Sequence, residues 1–171
     1  GKTSEQREQL RWRRIVMRVF DDLDDRRALF DLLWRHFGSA ERWQVDPAAA
    51  SVWQHLTERG LTLGIASNFD ARLESLCAVL APLDAAAHVF TSSRLGWRKP
   101  SLEFFRTIEQ RLGMSPAELL LVGDDLTNDY EAARAAGWHA LLLDPQASAP
   151  AAVERISALG ELPDLLDRHR V

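Results

Sequence analysis

Leu119-Leu120-Leu121-Val122 runs without a polar break into Gly123, and the carboxylates Asp124, Asp125 and Asp129 follow at once. A run this short and continuously apolar suits a strand buried on both faces, the condition of a parallel sheet covered by helices. Acids at the C-terminal end of such a strand lie where open α/β sheets hold their ligands. Crowded together they repel one another unless a cation or a basic side chain sits among them, and hard carboxylate oxygens suit Mg²⁺. Asp125 and Asn128 also have a plainer reading, as caps of a helix running from Tyr130 to Ala136 and stopped by Gly137. Capping accounts for one or two of these acids and leaves the others unexplained.

The surrounding chain repeats the same unit. Leu61 to Ala66 reads as a buried strand ending in Ser67-Asn68, His88 to Ser92 as another followed by Arg98-Lys99-Pro100, and Ala140 to Leu143 as a fourth. Between them lie helical patterns: Asp46-Pro47 to Gly60, about 71–80, and Pro100 to Leu112, the last stopped by Gly113. Ser115-Pro116-Ala117-Glu118 is a further helical start, and Pro150 to Val171 predicts a peripheral helix or two. Such alternation predicts an α/β fold, a Rossmann-like parallel sheet with helices on both faces. Residues 1–45 differ, because one helix from Ser4 to Phe20 and another carrying Leu29, Phe30, Leu33 and Phe37 leave no strand. The expected organisation is therefore a helical region, 1–45, and an α/β region, 46–171.

Composition narrows the function classes. A net charge of −4 argues against general nucleic-acid affinity. The one cysteine, Cys77, excludes an internal disulfide and lies in an apolar helical stretch, where a buried structural thiol is expected. No apolar run approaches a membrane span and no signal peptide is visible, so a cytoplasmic protein is expected.

Ser67, then Lys99-Pro100, then Gly123-Asp124 with Asp129, all at strand ends, resemble in order the second, third and fourth motifs of the haloacid dehalogenase-like hydrolase superfamily. The resemblance covers roughly residues 47–145. It implies Mg²⁺-dependent hydrolysis of a small phosphorylated metabolite through an aspartyl-phosphate. It implies phosphate binding by Ser67, Asn68 and Lys99, metal binding at Asp124 with Asp125 and Asp129, and catalytic parts for Ser67, Lys99 and Asp129. It favours the phosphatase-like branch, since the metal-free dehalogenases do not need a double acid after the fourth-motif strand.

The family's first motif, a strand ending in Asp-x-Asp whose first Asp is the nucleophile, is not found. Asp22-Leu23-Asp24 has the spacing, but Trp12, Ile15, Val16, Val19, Phe20 and Leu23 recur at helical spacing and place Arg18 inside the supposed strand. The nucleophile is therefore expected upstream of Gly1. Residues 1–45 then correspond to the C-terminal part of a helical cap, and the core lacks its first strand. That strand would lie between those bearing Ser67 and Asp124, so a gap is expected there. The 171-residue chain alone is expected to be inactive.

Other readings rest on less. Gly1-Lys2-Thr3-Ser4 resembles the end of a phosphate-binding loop but lacks the glycine-rich loop and strand that hold one, so Ser4 as a helix cap is the better reading. A phosphorelay receiver domain would place its acid pair first and its lysine last, the reverse of this order. A non-catalytic binding or assembly protein of the same fold is the main alternative. Trp34, His36 and Trp43 are candidates for lining a substrate cleft, although aromatics at this spacing more often form core. Oligomeric state is left open by the sequence.

Overall fold

A computed structural model describes residues 1–169. Two helices open the chain. Helix α1, Glu5–Val19, starts where the Ser4 hydroxyl accepts the Arg7 N–H, and carries Glu5 and Glu8 in its first turn. Helix α2, Arg26–His36, is capped by the Asp25 carboxylate on the Ala28 N–H. They pack through Trp12 against Phe37, ring centroids 5.3 Å apart, with Val16 and Phe30 buried. Asp22 and Asp24 lie exposed in the turn between them. Residues 15–19 are thus helical, and no strand leads into that acid pair.

The α/β region follows in the expected order: α3 (Ala49–Glu58), β1 (Gly64–Ser67), α4 (Arg72–Cys77), β2 (His88–Thr91), α5 (Ser92–Leu95), α6 (Leu102–Leu112), β3 (Leu120–Gly123), α7 (Ala132–Ala135), β4 (His139–Leu143), β5 (Arg155–Ile156) and α8 (Leu162–His169). All strand pairings are parallel. Alternate side chains leave opposite faces of each strand, and the core follows that period. Leu121 and Ala140 join Phe104, Phe105, Ile108 and Ala133 on the α6–α7 face. Leu120, Val122 and Leu141 join Val52, Leu56, Leu162 and Leu166 on the α3–α8 face. Phe104 and Phe105 are wholly buried, each contributing about 1.5–3 kcal/mol by leaving water.

Three departures from the sequence reading have local causes. The first strand begins at Gly64 rather than Leu61, because the Leu61 N–H closes the end of α3 on the Leu56 carbonyl, 3.1 Å. The tail contributes a strand as well as a helix: β5 pairs with β4 before α8. Residues 170–171 of that tail lie outside the described residues.

The third concerns burial in the sheet. With the expected gap between the strands bearing Ser67 and Asp124, the sheet comes in two pieces, β1–β2 and β3–β4–β5. Among the described residues, strands β1 and β3 are not bonded to each other, and each has one partner strand and one free edge. Ala66 and Phe90 from one piece and Leu121 and Ala140 from the other nevertheless share a single core cluster. The apolar run at β3 predicts burial on both faces, yet β3 is only half-buried, whereas three central residues of β4, paired on both sides, are buried. The open edge accounts for the difference.

Candidate active site

Lys99 is the centre of the arrangement. After β2 and α5 the chain reverses at Gly96, whose φ of +82° suits glycine, and returns through Arg98 to the sheet's C-terminal end. There Asn68, just past β1, clamps the Lys99 backbone on both sides. Its side-chain carbonyl accepts the Lys99 N–H at 2.8 Å and its amide donates to the Lys99 carbonyl at 3.0 Å. The Lys99 ammonium donates to the Ala66 carbonyl at 3.1 Å and to Asp129 Oδ1 at 2.5 Å. Lys99 and Asp129 are both buried. One lysine therefore links the end of β1 to the loop after β3, across the two free edges.

Asp129 reaches inward because Leu126–Glu131 forms a π-helical turn, a local device that re-aims side chains. Its second oxygen accepts the Asp125 N–H at 3.1 Å. Asp125 itself caps that turn, accepting the Thr127 and Asn128 N–H groups and the Asn128 side-chain amide at 2.7–3.0 Å. These bonds, those from Asn128 foremost, hold its carboxyl below the usual carboxylate range. Asp124 is exposed. Among the described residues, neither its carboxylate nor the half-buried Ser67 hydroxyl has a hydrogen-bond partner, so both are available to a ligand.

The structure therefore brings Ser67, Asn68, Lys99 and Asp129 together and divides the sequence-predicted acids by task. Asp129 holds the lysine, Asp125 holds the turn, and Asp124 is the one left free. Among the described residues no three His, Cys, Asp or Glu side chains converge as a ready-made metal cage. Mg²⁺ commonly takes only one or two protein carboxylates, with water and phosphate oxygens completing its shell, and a free Asp124 at the strand end fits that pattern.

Two contributors escape sequence reasoning. The Ala66 carbonyl is a backbone group and leaves no sequence signal. Gly123 matters for its size: a Cβ there would lie 2.6 Å from Asp129 Cβ. The glycine directly before the acids was the available clue. The aromatics divide as well. The Arg72 guanidinium stacks 3.4 Å from the Trp34 ring and donates to the Trp34 carbonyl, and Trp43 meets Phe69 edge-on at 5.9 Å. Both tryptophans attach the helical region to the segment after Ser67. His36 is exposed and edge-on to Phe37. Cys77 is buried, which pushes its thiol pKa up, and no helix among the described residues is long and apolar enough to cross a membrane.

Residues 5–137 match the family model described as haloacid dehalogenase-like hydrolase. The chain is 33% identical over 143 residues to haloacid dehalogenase-like hydrolase domain-containing protein 3 of Xenopus laevis, covering 79% of this chain and 57% of that protein. It is 31% identical over 155 residues to ribulose-1,5-bisphosphate 5-phosphatase of Halopiger xanaduensis, covering 83% of this chain and 64% of that enzyme. It thus spans between half and two thirds of the length of these relatives. Among solved structures, a HAD phosphatase from Thermococcus onnurineus superposes with TM-score 0.72 at 26% identity, over 91% of this chain and 70% of that one. A 2-haloacid dehalogenase from Pseudomonas syringae superposes with TM-score 0.68 at 26% identity, over 94% and 72%.

Proposed function

The chain belongs to the haloacid dehalogenase-like hydrolase family, and on that footing we propose that the protein hydrolyses a small phosphate monoester with Mg²⁺. The observation that carries this reading is the buried Lys99, fixed by Asn68 and Asp129, with a free Ser67 hydroxyl and a free Asp124 carboxylate at the neighbouring strand ends. The phosphatase relative from Halopiger supports the same substrate class.

In this reading the Ser67 hydroxyl donates to a phosphoryl oxygen, and the Lys99 ammonium balances the charge of the phosphoryl group and of the attacking carboxylate. Asp129 and the Ala66 carbonyl hold that ammonium at the C-terminal end of the sheet. Asp124 would hold Mg²⁺, which when bound neutralises phosphate charge. The nucleophilic carboxylate comes from a strand outside residues 1–171 that lies between the free edges of β1 and β3. Its oxygen bonds to phosphorus as the bond to the ester oxygen breaks and that oxygen leaves, taking a proton from solvent; water then attacks phosphorus, which releases inorganic phosphate and regenerates the carboxylate. Residues 1–45 serve as the later part of a helical cap over the site.

Turnover of p-nitrophenyl phosphate by the full-length protein, with Mg²⁺ and with EDTA, tests the reading. Chloride release from 2-chloropropionate without phosphatase activity would assign the dehalogenase branch instead. Neither reaction, in a folded protein, would favour a non-catalytic binding or assembly role.

A further inference from the structure

The first turn of α1 presents two carboxylates, Glu5 and Glu8, three residues apart and therefore on one helix face. Acids in a first turn complement the helix dipole while solvated, so that role needs no burial. Glu8 is only 2% exposed. One of its oxygens accepts the Thr3 hydroxyl at 2.7 Å and lies 3.4 Å from the Ser92 hydroxyl, whose shorter contact is to the Phe69 carbonyl at 3.1 Å, and the other accepts Arg98 at 2.5 Å. Arg98 directly precedes Lys99. The strip around it is tied again by the Thr3 N–H on the Gly96 carbonyl, 2.8 Å, and the Arg98 N–H on the Gly1 carbonyl, 3.0 Å. Glu5 turns the other way, and both its oxygens accept the Ala71 N–H, at 3.1 and 3.3 Å, in the segment that follows Ser67-Asn68.

We infer that Glu8, acting through Arg98, is a positioning residue that holds the Lys99 loop in its working place, with Glu5 steadying the segment after Ser67 from the same helical turn. This rests on the phosphoryl-transfer reading above. A buried ion pair is a poor source of net stability, because desolvation offsets most of the attraction. What the pair does supply is geometry: it fixes where α1 sits relative to the loop that delivers the lysine. A change in the seating of α1 is thereby transmitted to both phosphate-side loops at once.

The test uses Glu8→Gln, Arg98→Met and the double variant in the full-length protein, with Glu103→Gln as control, since Glu103 pairs with Arg106 on the exposed side of α6. Each single variant is expected to lower kcat on p-nitrophenyl phosphate by about tenfold while KM moves by less than about threefold. The double variant should be no worse than the poorer single, the sign of one shared interaction. Arg98→Lys should recover part of the loss. The Lys99 amide, held by Asn68 Oδ1, should exchange with solvent faster in both single variants and stay unchanged in Glu103→Gln. A Glu8→Gln protein that melts earlier but keeps kcat within about twofold overturns the inference, as do additive losses. If the unaltered protein cleaves no phosphate ester, the phosphatase reading fails on its own. Lys99 amide exchange then still decides the positioning role, and an unchanged rate in Glu8→Gln overturns it.

Discussion

Gly123 carries a requirement that backbone geometry does not explain, for its φ is not among the positive ones. The space its missing Cβ leaves is filled by the Asp129 side chain. Gly123→Ala should therefore push Asp129 away from Lys99, costing about 1–3 kcal/mol as overpacking and most of the activity. Gly113, with φ +66° and no atom within 4 Å of an added Cβ, is the contrast: alanine there should cost about 1 kcal/mol of backbone strain and leave turnover unchanged. Urea unfolding beside kcat separates the two. The free acid gives a second pair. On the proposed Mg²⁺-dependent reading, Asp124→Asn should cut turnover of the full-length protein by about two orders of magnitude or more by weakening Mg²⁺ binding, whereas Asp22→Asn, in an exposed inter-helix turn, should do little. A third expectation concerns acid. Asp144, at the end of β4, accepts the Ala149 and Ser148 N–H groups and the Ser148 hydroxyl, and these bonds hold its carboxyl below the usual range. Its folded value lies under its unfolded one, so the stability it adds is fully present above about pH 4 and is lost as pH falls through the folded value. Asp144→Asn should be less stable than the natural protein at pH 7, with the gap between urea midpoints narrowing towards pH 2.

Between elements, the Lys99–Asp129 pair joins the two halves of the sheet. Lys99→Met strands a buried carboxylate and should cost about 3–5 kcal/mol. Adding Asp129→Leu removes the stranded charge, so the inactive double variant should be more stable than Lys99→Met alone in chemical denaturation. The elements behind this pair were largely legible in the sequence. Short apolar runs closed by Ser67, Ser92 and Gly123 and helices closed by Gly113 and Gly137 combine periodicity with punctuation; the structure keeps these elements, but ends the middle strand at Thr91 and makes the start of the Tyr130–Ala136 helix part of a π-helical turn. What failed to show has physical reasons. Arg155–Ile156 is too short a strand to display a period. Leu61 has the apolarity of a strand but serves as the end of α3. Glu8 looks like any first-turn acid until the chain brings Arg98 to it. At the candidate site, Ser67 and the acids were legible as residue types at strand ends, and Lys99 as a lysine in the segment beyond one, though not the short helix α5 that separates it from β2. The division of labour among Asp124, Asp125 and Asp129 was not, because a π-helical turn decides it.

For the whole molecule, the two free edges matter most. Exposed strand edges offer unpaired N–H and C=O groups to any passing strand, and apolar β3 is half-buried beside one of them. A parallel strand entering between β1 and β3 would satisfy both edges, complete the burial of Leu121 and Val122, and end beside Lys99. That is where the proposed nucleophile has to stand. The relatives extend well beyond the part this chain matches, which leaves room for such a strand. Hydrogen exchange makes the idea testable. In residues 1–171 alone, the amides of Gly64–Ser67 and Leu120–Gly123 that do not pair with β2 or β4 should exchange quickly, and the fragment should self-associate and turn over no phosphate ester. In the full-length protein the same amides should be protected, alongside Mg²⁺-dependent turnover. Protection of both edges that is equally strong in a monomeric fragment and in the full-length protein would mean that no strand enters, and the nucleophile would have to be sought elsewhere.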